Sequence, residues 1–145
     1  MNVLIFGGTG FVGRNLTDEL LANGYQVSVV TRNRQKTANS LRSGVKLIEW
    51  DNISPLSFVC ELPETDAVIN LAGESIGNRR WSASVKQEIL ASRIRTIGAI
   101  VTAINKRTIQ PKVLISASAV GYYGPRQDDE ITESAAAGQD FLAQV

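Results

Sequence analysis

Apolar positions along the chain alternate between two patterns. Short unbroken apolar runs, such as Val3-Leu4-Ile5-Phe6, read as buried strands, and stretches with apolar residues three and four apart read as helices. Strands are predicted over residues 2–6, 26–31, 45–50, 67–71 and 112–116. The second is marked by the β-branched Val27, Val29 and Val30. A first helix is predicted over 10–22, with Leu16, Leu20 and Leu21 as its apolar stripe and Asn23-Gly24 as its stop. A long helix is predicted over 82–106, with Val85, Ile89, Ile97, Ile100 and Ile104 facing a core. The polar stretch 32–43 fits either a short helix or a loop, and 52–63 fits a short helix. The tail, 117–145, leaves room for a further helix at its end.

Strands alternating with helices predict an α/β fold with a parallel, doubly wound sheet of the Rossmann type. Right-handed crossovers make 3-2-1-4-5 the expected strand order. A ligand is then expected beyond the carboxyl ends of the first and fourth strands, where the order reverses.

The turn after the first strand reads Gly7-Gly8-Thr9-Gly10-Phe11-Val12-Gly13. Strand, glycine turn and helix together form the setting of a dinucleotide site. Gly7 permits the tight turn, Gly10 lets the backbone approach a pyrophosphate, and Gly13 lets helix and strand pack closely. The helix start offers free N–H groups to the phosphates. Gly7, Thr9, Gly10, Phe11 and Val12 are therefore expected to contact the cofactor. Gly13 leads into Arg14-Asn15-Leu16 with no Lys-Ser or Lys-Thr pair, which excludes a P-loop.

Composition narrows the picture. Apolar residues make up 43 % and charged residues 20 % of 145 residues, the balance of one ordinary globular domain. A net charge of +1 gives no basis for a nucleic-acid or anionic-membrane partner. No apolar run is long enough to span a bilayer. The first strand starts so early that no signal or transit peptide is expected, and a cytoplasmic location follows as the expectation. A single cysteine, Cys60, excludes an intramolecular disulfide and reads as a small core residue. The chain has no histidine, which removes imidazole bases, Ser-His-Asp triads and imidazole metal sites together.

The second strand runs into Thr31-Arg32-Asn33-Arg34, with Lys36 beyond and no acid between Leu21 and Glu49. An NAD site calls for an acid here to take the ribose 2′-hydroxyl. Arg32 instead suits a 2′-phosphate through charge-assisted bidentate hydrogen bonds, and Thr31 can add a hydroxyl contact. NADP is the expected cofactor. The alternative, that Arg32, Arg34 and Lys36 are only a solvated face, stays open.

Three segments together resemble the extended short-chain dehydrogenase/reductases: the glycine turn, Asn70-Leu71-Ala72-Gly73-Glu74, and Ser116-Ala117-Ser118-Ala119-Val120-Gly121-Tyr122-Tyr123-Gly124. Arg79-Arg80-Trp81, Glu88-Ile89-Leu90-Ala91-Ser92-Arg93-Ile94 and Asp140-Phe141-Leu142-Ala143 narrow this to the atypical "epimerase family protein" branch, which is similar to NAD-dependent epimerases and dehydratases. The resemblance implies that Leu71 and Ala72 line the cofactor through their backbone, and that Glu88 and Arg93 reach the cofactor side of the cleft. Arg93 stands where many extended members carry asparagine. Asp51 resembles a residue that often contacts adenine, and a loop-capping role is its alternative. Ser118 matches the serine that binds the substrate oxygen near the nicotinamide, and a strand-end serine satisfying loop backbone is its alternative. Glu88 and Arg93 also fit ordinary surface charges.

The superfamily's catalytic pair is Tyr-x-x-x-Lys; no tyrosine follows Tyr123, and the lysine position would lie past Val145. Leu142 aligns with the tyrosine. Tyr122 and Tyr123 match a structural turn instead. Members of the family are about twice this length, so residues 1–145 are expected to be a truncated NADP-binding domain lacking a C-terminal substrate region. The expected function is that of an NADP(H)-binding short-chain dehydrogenase/reductase-like protein, a nucleoside-diphosphate-sugar epimerase or oxidoreductase. The expected partners are a small-molecule substrate, sugar-nucleotide-like in one reading, and a second copy in a homodimer built on the long helix. The alternative function is a non-catalytic NADP(H)-binding or sensing protein.

Overall fold

The computed structural model of the chain describes residues 1–54 and 56–145. Five parallel strands, β1 (Asn2–Phe6), β2 (Gln26–Thr31), β3 (Lys46–Glu49), β4 (Ala67–Asn70) and β5 (Val113–Ser116), form one sheet in the order β3-β2-β1-β4-β5. The order is the expected one. The three inner strands, β2, β1 and β4, are buried on both faces, the mark of a parallel sheet covered on both sides, whereas β5 at the edge is exposed along its length. On one face Val3, Ile5, Val27, Val29 and Ile69 pack under Leu16, Leu20 and Leu21 of helix α1 (Phe11–Ala22). On the other, Leu4, Phe6, Val30, Ile48 and Val68 pack under Ala99, Ile100 and Ala103 of helix α3 (Ala83–Asn105).

A short helix α2 (Arg34–Ala38) resolves the ambiguous polar stretch. Asn33 starts it, its side chain accepting the Lys36 N–H at 2.8 Å. A 3-10 turn over Ser57–Glu61 occupies the mixed segment, of which Pro55 lies outside the described residues. The turn drives Phe58 into an edge-to-face trio with Phe6 and Trp50, and this leaves Cys60 exposed. The expectation of a core cysteine is thus corrected: in a turn of three residues per repeat, Phe58 and Cys60 cannot share a face.

The apolar stripe of α3 also differs from its prediction. Val85, Ile89 and Ile100 are buried as expected, but Thr96, Ala99 and Ala103 complete the buried face while Ile97 and Ile104 are only half-buried. Small residues at the contact let the helix lie close to the sheet. Element ends shift by one residue where caps take over: Ser82 accepts the Val85 N–H, and Gly10 precedes α1 in extended conformation. The tail carries a 3-10 turn over Val120–Tyr123 and a short helix α4 (Phe141–Gln144) capped by Asp140. No helix among the described residues is long and apolar enough to cross a membrane.

Candidate functional site

Because all strands are parallel and in register, Phe6, Val30, Asn70 and Ser116 end at the same edge of the sheet. The loops that follow them line two adjoining clefts. They meet at Leu71, Ala72, Gly73 and Glu74, on the loop after β4.

The first cleft, about 500 Å³, opens over the glycine turn between β1 and β2. Gly7 has φ +81°, and a Cβ on it would lie 2.7 Å from the Leu71 carbonyl, so glycine is required. Gly10 is less crowded than Gly7: an added Cβ would sit tightly at 3.3 Å from the Gly7 oxygen and meet nothing else, and its surface faces the cleft with that of Thr9. Phe11 and Val12, which begin α1, are 87 % and 61 % exposed. Neither lines either cleft, unlike Gly7, Thr9 and Gly10, although the N–H groups of a first helical turn have no helical acceptor. Arg14, one turn into α1, donates through Nε to the Thr9 carbonyl at 2.8 Å and braces the turn from its own helix. No sequence signal marked it.

At the far end of this cleft stand Thr31, Arg32, Asn33, Lys36 and Ser40. Thr31 Oγ1 is 2.7 Å from Thr37 Oγ1, which fixes its rotamer. The acid-free interval read along the chain does not persist in space. Strand pairing sets Glu49 opposite Thr31, and its carboxylate accepts the Arg34 N–H at 3.0 Å. Glu49 is thereby engaged away from the cleft, which Arg32 and Lys36 line. Arg34 pairs with Glu61 and faces elsewhere.

Asp51 takes the loop-capping role. Its Oδ1 accepts the Ile53 and Ser54 N–H groups at 2.8 and 3.0 Å, and these bonds hold its carboxyl below the ordinary value of 3.8. Its neighbour Asn52, at φ +60°, lines the cleft instead, and its buried Oδ1 has no partner among the described residues. The one signal for Asn52 is that asparagine tolerates a left-handed turn.

The second cleft, about 750 Å³, lies beyond β4 and β5. It gathers Ser116, Ser118, Gly121, Tyr122, Arg93 and, from α4, Leu142. Leu142 packs against Gly121, where a Cβ would lie 3.3 Å from that of Leu142. Asn70 ties the two strand ends together, donating to Ser116 Oγ at 3.1 Å and accepting the Ala72 N–H at 3.2 Å.

Glu88 and Arg93, paired in the sequence reading, separate. Glu88 lines neither cleft and binds Arg79 at 2.7 Å, because its position on α3 faces the loop carrying Arg79. Arg79 also holds Glu74 at 3.1 Å, and the two carboxylates raise its pKa. Arg93 lines the second cleft only, behind Gly73.

The sequence profile described as "NAD dependent epimerase/dehydratase family" matches residues 3–141. The chain belongs to this family. Among its relatives, epimerase family protein YfhF of Bacillus subtilis (strain 168) is 40 % identical over 146 residues, covering 99 % of this chain and 46 % of that protein. Epimerase family protein SDR39U1 of Homo sapiens is 36 % identical over 148 residues, covering all of this chain and 46 % of that protein. The chain spans about half the length of the curated relatives it matches. A crystal structure of human SDR39U1 (isoform 2) with NADPH superposes with a TM-score of 0.80 at 36 % identity, over 99 % of this chain and 45 % of that one. A UDP-glucose 4-epimerase structure reaches the same TM-score at 19 % identity, a likeness of fold alone.

Proposed function

We propose that this chain is the cofactor-holding part of an NADP(H)-dependent oxidoreductase or epimerase, with the region that selects the substrate lying outside residues 1–145. The observation that carries the reading is the first cleft, with a glycine turn at one end and Arg32 and Lys36 at the other. Its residues fit the cofactor. Gly10 puts no side chain into the cleft, the N–H groups of the first α1 turn have no helical acceptor, and the orphaned Asn52 Oδ1 is suited to an amino group of adenine. The relative crystallised with NADPH supports the same choice.

In this reading the glycine turn and α1 bind the pyrophosphate, and Arg32 with Lys36 takes the 2′-phosphate. Leu71 and Ala72 offer backbone to the part of the cofactor that crosses between the clefts. NADP(H) would supply hydride transfer at the second cleft. Ser118 there orients a substrate oxygen, since an unaided hydroxyl is a poor acid at neutral pH. Titration of NADPH into full-length protein tests the proposal. Micromolar or tighter binding is expected, and no binding would overturn it.

Leu142 favours a second reading, a non-catalytic NADP(H) sensor, because it fills the place aligned with the superfamily's tyrosine. Incubating NADPH-loaded protein with a panel of carbonyl compounds and sugar nucleotides separates the two. NADPH consumption supports the enzyme, and binding without consumption supports the sensor.

A further inference from the structure

Arg14 uses one donor group and leaves the rest free. Its Nε donates to the Thr9 carbonyl at 2.8 Å. A guanidinium carries five N–H donors. The two terminal nitrogens of Arg14 find no acceptor among the described residues, and no carboxylate there forms an ion pair with them. Asp18 stands one turn along α1, at a spacing where helix ion pairs form, and does not take Arg14. The fork is tethered at its base and unoccupied at its tip.

Its place is as specific as its geometry. Gly10, which caps α1, and Arg14 lie four residues apart on one helix face, and the Arg14 N–H donates to the Gly10 carbonyl at 3.0 Å. Both line the first cleft, whereas Phe11 and Val12 line neither. The loop after β2 brings Arg32 to the same cleft, and α2 brings Lys36. The one carboxylate among the residues that line it, Glu74, is held by Arg79. Three cations from three elements thus border a cleft whose described lining has no free carboxylate. A pyrophosphate at the helix start is met by backbone N–H groups and leaves these side chains unmatched. A phosphate monoester carries about two negative charges at neutral pH and three acceptor oxygens. One guanidinium fork engages two of those oxygens, which leaves charge and an oxygen for a further cation.

We infer that Arg14 is a second guanidinium for the 2′-phosphate of NADP(H), reaching it across the glycine turn. Cofactor preference is then set from α1 as well as from the loop after β2. The inference rests on the cofactor reading above.

The test is fluorescence titration of full-length protein with NADPH and with NADH. Arg14→Gln should raise the NADPH Kd about three- to tenfold, the range of an exposed charge-assisted contact, and leave the NADH Kd within about twofold. Arg14→Lys keeps the charge without the fork and should fall between. Equal weakening of both cofactors overturns the inference, because bracing the turn or touching the pyrophosphate serves NADH as much as NADPH. Unchanged NADPH affinity overturns it too, as does a wild type that binds both cofactors equally. A second measurement needs no variant. Wild-type protein is treated with phenylglyoxal, and modification of Arg14 is followed by peptide mass spectrometry. At equal saturation, adenosine 2′,5′-bisphosphate should protect Arg14 and adenosine 5′-monophosphate should not. Equal protection by the two, or none, overturns the inference even where Arg14→Gln does not fold. Wild-type protein that binds neither cofactor sinks the cofactor reading and the inference together, whereas NADPH binding without an Arg14 effect sinks the inference alone.

Discussion

Gly13 sits directly on the turn that begins at Gly7: a Cβ on Gly13 would lie 2.3 Å from the Gly7 carbonyl oxygen. Gly10, three residues earlier, has nothing closer than 3.3 Å. The two glycines therefore do different things, one closing helix onto turn, the other keeping the turn open. Gly13→Ala should destabilise the fold by about 3 kcal/mol or more, because backbone cannot give way as a flexible side chain can. Gly10→Val should melt near the wild-type temperature and lose NADPH binding. Thermal unfolding followed by cofactor titration distinguishes them, and a Gly10→Val protein with full affinity would show that the turn meets no pyrophosphate.

Arg32 lines the first cleft with Lys36, while Glu49 is held off by the Arg34 N–H. We expect wild-type protein to prefer NADPH over NADH by ten- to a hundredfold, roughly what one charge-assisted bidentate contact supplies. Arg32→Ala should erase most of the preference and leave NADH affinity nearly unchanged. Parallel fluorescence titrations measure both, and equal wild-type affinities would rule out a 2′-phosphate site.

Asn70 is 6 % exposed and joins β4, the loop after it and β5 through the Ser116 hydroxyl and the Ala72 N–H. Asn70→Ala strands both partners. A loss of about 1–3 kcal/mol is expected, seen as a lower urea midpoint at unchanged slope. The second cleft should also loosen, since Leu71, Ala72 and Ser116 are positioned by these bonds.

At the opposite edge of the sheet Asp66 accepts the Asn2 N–H at 2.8 Å and pairs with Lys112 at 3.0 Å. The hydrogen bond from Asn2, then the bond from Lys112, hold its carboxyl below the ordinary value of 3.8. A carboxyl depressed in the folded state adds stability that is present above its unfolded pKa and lost as pH falls through the folded one. Part of the acid destabilisation below about pH 4 should therefore trace to Asp66. Urea midpoints at pH 7 and pH 3 should differ less in Asp66→Asn than in wild type, and an equal difference would exclude that role.

The strands, their order and the glycine turn were legible in the sequence because they rest on local pattern. An apolar run buried on both faces, a φ that only glycine adopts freely and a crossover of fixed hand leave few alternatives. Arg32 was singled out by its place after a strand and Ser118 by the family resemblance, and each lines a cleft. Cys60 and the buried alanines of α3 were misjudged because type and spacing do not report how closely a helix or turn approaches its neighbour.

The amino-acid sequence by itself determined a five-stranded, doubly wound sheet and the edge of it where a ligand belongs. Only the tertiary structure decided which polar residues face that ligand. Asp51 turned into its own loop and Asn52 into the cleft. Glu49 came beside Arg34 from another strand, and Glu88 went to Arg79. The physical reason is competition: a charged side chain takes the strongest partner within reach, and what lies within reach is set by residues far away in the chain.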